Sequence, residues 1–395
     1  MKYSACQKGS AAAPSVDHPS LPVPLYVIAI PAKNEEQVIR DCLLALAYQR
    51  DCDFTRMGVV LVVNNSSDLT AIIARSMILT LPYRLDVHEI DLTPPHRHVG
   101  MARKIAMDIA ADWIGAGDRG FIFTTDADSV VSPNWLSENM KAFRQGADAV
   151  AGAVSYDQCR SSSPAFLRRR SMESLYDSLL AEVAARLDPE PHNPWPCHRT
   201  ESGASLAIRV DAYRTIGGLP PVPVGEDRAL CKAVTSRGLH LRHEPRVEVQ
   251  TSSRLTGRAE GGAADTLRRR YCDSKAPCDD RLIEMRVAIR RATQRRDLRH
   301  QFRHGPPHFD RYLGRGLGLS KGQIDRIKTE QSFPAIWSLI EDASPVLTSK
   351  MLRPVDLPGQ ILLGKMVVRF LRLSDLVRPS AAERPDGTSP SIIAD

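Results

Sequence analysis

Asp126 and Asp128 stand one residue apart, directly after the β-rich run from Phe121 to Thr125 and just before a turn and helix start at Ser132 and Pro133. An Asp-x-Asp at the exit of a buried strand can hold a hard divalent cation through its carboxylate oxygens, and that cation can hold a diphosphate. The carboxyl end of a strand is also where open α/β sheets bind ligands. The competing reading is a turn that caps the following helix, since Asp-x-Asp arises by chance in many chains of this length. Glu226 and Asp227, after Gly225, form a second acidic pair. In a helix's first turn acids are favoured by the helix dipole alone. The chemical reading is that Asp227 acts as general base, deprotonating an acceptor hydroxyl as it attacks a sugar carbon.

Three polar clusters accompany these acids. Pro31-Ala-Lys-Asn-Glu-Glu36 offers backbone amides suited to phosphate and a carboxylate, Glu35, suited to ribose hydroxyls or a base edge;. Asn34 reads as a helix N-cap with Gln37 as its capping-box partner. Asn64, Asn65 and Asp68 offer short side chains that can hydrogen-bond a base, and Asp68 can equally cap the next helix. Gly100-Met-Ala-Arg-Lys104 sets Arg103 and Lys104 in the first turns of a helix, where they could face a diphosphate or form a solvated basic surface.

These residues need elements to hold them. Leu25–Pro31, Gly58–Val63, Leu85–Ile90 and Gly120–Thr125 read as strands, with helical faces following from Ile39, from Leu69 and from Val99. Repeated strand–helix units predict an α/β fold: a mostly parallel sheet, with right-handed crossovers, flanked by helices. Beyond Val150 the spacing predicts a helix over Ala165–Leu187, a Pro-rich loop over 189–196, an extended run over Glu201–Arg209, a helix within Gly225–Gly238 and a strand over Arg246–Thr251. From about Asp265 the chain reads as a mainly helical, basic C-terminal extension. The expected organisation is a loose segment 1–22, a catalytic domain over 23–260 (nucleotide-binding half 23–130, acceptor half 131–260), a basic helical region 261–378 and a disordered tail 379–395.

Composition limits the field. The 395 residues are 43% hydrophobic and 25% charged, ordinary values for a globular chain with a sizeable core;. The net charge is +7, and Asp265–Glu330 alone holds 17 Lys/Arg against 9 Asp/Glu, an excess of eight. That segment reads as a solvated Arg-rich surface or as a surface for anionic lipid or an acidic acceptor. No nucleic-acid motif or aromatic interleaving accompanies it, so nucleic acid is not expected as a partner. None of the eight cysteines forms a C-x-x-C pair, which reads as reduced thiols;. Residues 1–20 lack a signal-peptide core, and no apolar run is long enough to span a bilayer. The expectation is a cytoplasmic protein, with contact at the inner membrane face left open.

Taken in order, these clusters resemble the family 2 glycosyltransferases of the GT-A fold. The first strand ends in a P-x-x-N-E stretch (Pro31 to Glu35), the second in a polar turn closed by Asp68, and a G-x-x-x-A-R-N-like stretch has its counterpart in Gly100 to Lys104. The D-x-D is Asp126 and Asp128, and the later E-D pair is Glu226 and Asp227. The resemblance covers residues 23 to 255. It implies a UDP- or GDP-sugar donor, a divalent metal (Mn²⁺ or Mg²⁺), and transfer to an unidentified acceptor hydroxyl, usually with inversion. Glu35, Asn64 and Asn65 would hold the nucleoside, Asp126 and Asp128 the metal–diphosphate, and Asp227 would be the base. Some GT-A enzymes recruit a third metal ligand near the position of His243, although lone histidines are usually structural. The processive branch's Q-x-x-R-W motif and spanning helices are missing, so a non-processive enzyme is expected. Asn64-Asn65 stands where many members carry acids.

Two other classes remain compatible. A sugar-nucleotide nucleotidyltransferase would show a Gly-rich phosphate loop after its first strand, and Pro31–Glu36 has no Gly. A non-catalytic nucleotide-sugar-binding module would have no need of both acidic pairs. For the transferase reading, the two acidic pairs must face one crevice.

Overall fold

The structure, a computed structural model, describes residues 23–115, 119–157, 163–252, 263–304, 312–330 and 332–377. The expectations for 1–22 and for the tail beyond 378 lie outside these residues.

An eight-stranded sheet runs through residues 26–251. Its strands are β1 (Tyr26–Ala32), β2 (Met57–Asn64), β3 (Arg84–Ile90), β4 (Phe121–Thr124), β5 (Ser129–Val131), β6 (Ala149–Tyr156), β7 (Leu206–Arg209) and β8 (Leu241–Thr251), in the order β3-β2-β1-β4-β7-β6-β8-β5. The first four strands pair in parallel. β7 runs antiparallel between β4 and β6, β6 and β8 are parallel, and β5 closes the edge antiparallel to β8. The sheet is therefore mixed and mostly parallel, and β7 is the departure from the simple alternating pattern.

β1 and β2 are almost continuously apolar because helices cover both faces of the sheet. Ile28, Ile30 and Ala32 point into one core, with α1 (Ile39–Ala47), α2 (Thr70–Ser76) and α4 (Trp135–Arg144). Val27 and Ala29 point into the other, with α3 (Val99–Ile114), α6 (Val210–Thr215) and α7 (Glu226–Ser236). Small residues Ala102, Ala106 and Ala110 let α3 lie close against the sheet. Gly100 is required there: a Cβ would stand 2.2 Å from the backbone oxygen of Val222.

The helical part begins with α5 (Pro164–Leu187) and continues after the sheet through α8 (Ala263–Cys272), α9 (Met285–His304), a π-helical turn (Tyr312–Gly316), α10 (Lys321–Lys328), α11 (Phe333–Ala343) and α12 (Leu357–Val377). One apolar cluster joins α5, α9 and α12 through Tyr176, Leu180, Met285 and Ile361. A second joins α9, α10 and α11 through Leu298, Ile324, Ile336 and Ile340. The Ser332 hydroxyl donates to the Ser236 carbonyl at 2.8 Å, tying α11 to the end of α7. Among the described residues Cys42, Cys52, Cys197, Cys231, Cys272 and Cys278 are free thiols. None of the described helices is long and apolar enough to cross a membrane.

Candidate active site

The two loops that leave β1 and β2 are stitched together. Asn34 adopts φ 54°, its amide donates to the Ser66 hydroxyl at 2.9 Å, and its side-chain oxygen accepts from the Ser67 amide at 2.8 Å. The expectation that Asn34 caps a helix is corrected: α1 starts at Ile39, after Val38, with no side-chain cap. A residue turned into the left-handed region to reach the neighbouring loop cannot also cap the helix. Glu36 exchanges hydrogen bonds with the second loop, its amide donating to Asp68 at 3.0 Å and its carboxylate accepting from the Leu69 amide at 3.0 Å. Asp68 also accepts from the amide and hydroxyl of Thr70, closing the turn that starts α2. Asn65, at φ 49°, holds the amide and carbonyl of Leu92 at 3.2 and 3.1 Å, and Asn64 leans on it at 3.5 Å. Asn34, Asn65 and Asp68 thus use side-chain atoms to fix loop shape. Pro31 is a buried residue of β1, and Glu35, also buried, donates its amide to the Thr70 hydroxyl at 2.7 Å.

β1 and β4 are adjacent, so the loops after them share one end of the sheet. Ala127 turns into the core while Asp126 and Asp128 on either side of it stay partly exposed. The Ser129 amide donates to the Asp126 carbonyl at 3.0 Å, and the Thr251 hydroxyl donates to Asp128 at 3.4 Å. Burial first, then the charges of Asp128, Asp126 and Glu35, hold the buried Cys42 thiol far above its usual pKa.

Arg103 organises the centre. It is 2% exposed. Its guanidinium donates to Asp126 at 2.6 Å, Glu226 at 3.1 Å, the Thr124 hydroxyl at 2.8 Å and the Gly203 carbonyl at 2.9 Å. Burial opposes its charge, but Asp126 and Glu226 outweigh that and raise its pKa. For Glu226 the balance is reversed: burial outweighs the pull of Arg103, Asp227 adds to it, and the pKa is raised. The Gly203 amide donates to Asp227 at 3.2 Å, and the Arg228 amide to the other oxygen of Asp227 at 2.8 Å. Gly225, at φ 78°, turns the chain so that Glu226 enters beneath and Asp227 stays partly exposed. The acid pair after β4 and the acid pair opening α7 are thus joined through Arg103 and Gly203.

Arg103 is neither a solvated face nor an outward phosphate ligand. Sequence reasoning missed its role because its partners lie 23 and 123 residues away. Lys104 pairs along the helix with Asp108 at 3.0 Å, and Tyr213 donates to the same carboxylate at 2.7 Å. His243 lies near the start of β8, whereas Asp128 meets Thr251 at its end. On the adjacent β6 that span is five residues, from Ala151 to Tyr156, or roughly 16 Å at about 3.3 Å per residue;. His243 sits instead 3.7 Å from Glu201 and edge-on to His198. Among the described residues no three His, Cys, Asp or Glu side chains cluster as a metal centre. The donor set at Asp126 and Asp128 still fits Mg²⁺ or Mn²⁺, which take one or two hard carboxylates and complete their shell with substrate phosphate and water.

Residues 27–190 match the family model described as Glycosyl transferase family 2. That segment is a family 2 glycosyltransferase domain. The match ends before Glu226 and Asp227, and Arg103 links Glu226 to Asp126 inside it. Among solved structures, S. aureus TarS in complex with UDP-GlcNAc is 15% identical, covering 88% of this chain and 92% of that one, with a TM-score of 0.45. The mannosyltransferase PcManGT from Pyrobaculum calidifontis, in complex with GDP-Man and Mn²⁺, is 18% identical over 80% of this chain and 86% of that one, with a TM-score of 0.45. Glucosyl-3-phosphoglycerate synthase from Mycobacterium tuberculosis, in complex with Mn²⁺, UDP and glucosyl-3-phosphoglycerate, is 17% identical over 58% and 70%, with a TM-score of 0.36. A search of curated proteins returned no match.

Proposed function

We propose that this glycosyltransferase moves a sugar from a nucleoside-diphosphate sugar to an acceptor hydroxyl with inversion, with residues 23–260 as the catalytic unit. The observation that supports this reading is the Arg103 guanidinium, which bonds to both Asp126 and Glu226; Asp227, next to Glu226, would then face the Asp126/Asp128 pair across one crevice. Asp126 and Asp128 would hold a Mg²⁺ or Mn²⁺ ion, which supplies Lewis-acid stabilisation to the departing diphosphate. Glu35, buried at the neighbouring strand end, is the carboxylate assigned to the nucleoside. The acceptor oxygen bonds to the anomeric carbon, its proton passes to the Asp227 carboxylate, and the bond from that carbon to the diphosphate oxygen breaks. Two amide donors fix Asp227 in orientation, so its proton-accepting geometry is set before the acceptor arrives.

A thermal-shift series with UDP, GDP, dTDP and CDP, each with and without Mn²⁺, tests the donor half of the proposal, because a ligand that binds only the folded state raises the melting temperature. One nucleotide is expected to stabilise in a metal-dependent way. Stabilisation by none of them, or equal stabilisation in EDTA, overturns the assignment of Asp126 and Asp128.

A further inference from the structure

The last helix, α12, leaves an apolar stripe facing outward. Leu362, Met366, Phe370 and Leu373 are 63%, 62%, 69% and 55% exposed. Their spacing of four, four and three residues puts them within a quarter turn of one another on a helix of 3.6 residues per turn. The opposite face is used: Leu357, Ile361 and Val368 are buried in the cluster that joins α12 to α5 and α9. Between these faces runs a row of exposed cations, Lys365, Arg369 and Arg372. With Leu179, Val368 and Leu373 they line one open groove. Arg372 is held by Glu182 at 2.7 and 2.8 Å.

We infer that this face of α12 docks on an anionic lipid bilayer, with the stripe set at the boundary between headgroups and acyl chains and Lys365 and Arg369 against lipid phosphates. An amphipathic helix with a cationic flank lies in the plane of an anionic interface, and cations there are drawn to the negative surface potential. The helix is long, at 21 residues, but its cations and buried face keep it from crossing. A second copy of the chain suits the face less well: antiparallel self-pairing, about a two-fold axis across the helix, would bring each cation row toward the other. The inference stands independently of the transfer reaction.

Co-flotation of the full chain tests it, using vesicles of phosphatidylcholine alone and vesicles with phosphatidylglycerol added. The chain is expected to float with the anionic vesicles, weakly or not at all with the neutral ones, and less as salt rises. Met366→Ser/Phe370→Ser should reduce binding about tenfold or more, because burying a single large apolar side chain already supplies that much. Lys365→Glu/Arg369→Glu should reduce it by at least roughly fivefold per cation. All four positions are exposed, so the melting temperature should stay near that of the parent. No flotation on anionic vesicles, or unchanged flotation of Met366→Ser/Phe370→Ser, overturns the inference. So does a dimer in light scattering that this variant dissociates, which would assign the face to a second copy.

Discussion

The Arg103 guanidinium and the Asp126 carboxylate meet at 2.6 Å, the first fully enclosed and the second one-third exposed at the crevice. The pair fixes one oxygen of Asp126 and, through the Glu226 contact, carries that position to the start of α7. A buried cation with two acidic partners is costly to leave incomplete, because removing one member strands the others without compensation.

Arg103→Met should therefore destabilise the fold by about 3–5 kcal/mol, read by urea denaturation. Adding Glu226→Gln to it should recover part of the loss, since one stranded buried charge is then gone. Arg103→Lys is expected to fall between the parent and Arg103→Met, because an ammonium keeps the charge but cannot reproduce the planar fork that reaches four acceptors;. Equal stability of Arg103→Met and the parent would show that the cluster is solvated in solution.

Gly203 stands against this guanidinium so closely that an added Cβ would lie 2.4 Å from Arg103 Nη2. Gly203→Ala should cost about 1–3 kcal/mol, as overpacking of a tight site does. It should also lower nucleotide stabilisation in the thermal-shift assay, because the side chain that must give way is the one holding Asp126. A variant with parental stability and unchanged nucleotide response would remove Gly203 from the site.

The strands and helices around this site are legible in the sequence wherever burial on both faces leaves a continuous apolar run, as in β1 and β2, or where Val99 to Trp113 keep a helical face. The acidic pairs are legible as local patterns, and Arg103 bonds to one member of each, Asp126 and Glu226. What is not legible depends on distant partners. Arg103 looks like any helix-surface cation until Asp126 and Glu226 fold around it. Asn34 looks like an N-cap until its φ and its bonds to Ser66 and Ser67 are known. β8 begins at Leu241, five residues before the expected strand, because Arg242 and Glu244 are buried as a pair that hydropathy reads as a loop.

Asp227→Asn should lower transfer by about 10²–10⁴-fold, the usual worth of a general base. Nucleotide-induced stabilisation should persist, since the amide can still accept from Gly203 or Arg228. The comparison of turnover with thermal shift separates the two roles: near-parental turnover removes Asp227 as base, whereas loss of both signals makes it a positioning residue of the Gly203 turn.

Acidification should destabilise the protein through two histidines outside the Arg103 cluster, His192 and His198. Burial first, and then His240, lowers the His192 pKa to about 4, while burial and then His243 lower that of His198 to about 3. Both lie below the ordinary value of about 6.5. Between those limits the unfolded chain binds protons that the folded chain refuses, so stability rises with pH across the window and is lost as pH falls from about 6.5 toward 4. The melting temperature should drop through that range. His192→Gln/His198→Gln should flatten the slope while leaving the neutral-pH response to nucleotide intact, because neither ring belongs to the Arg103 cluster. An unchanged slope in that variant would move the acid sensitivity to other groups.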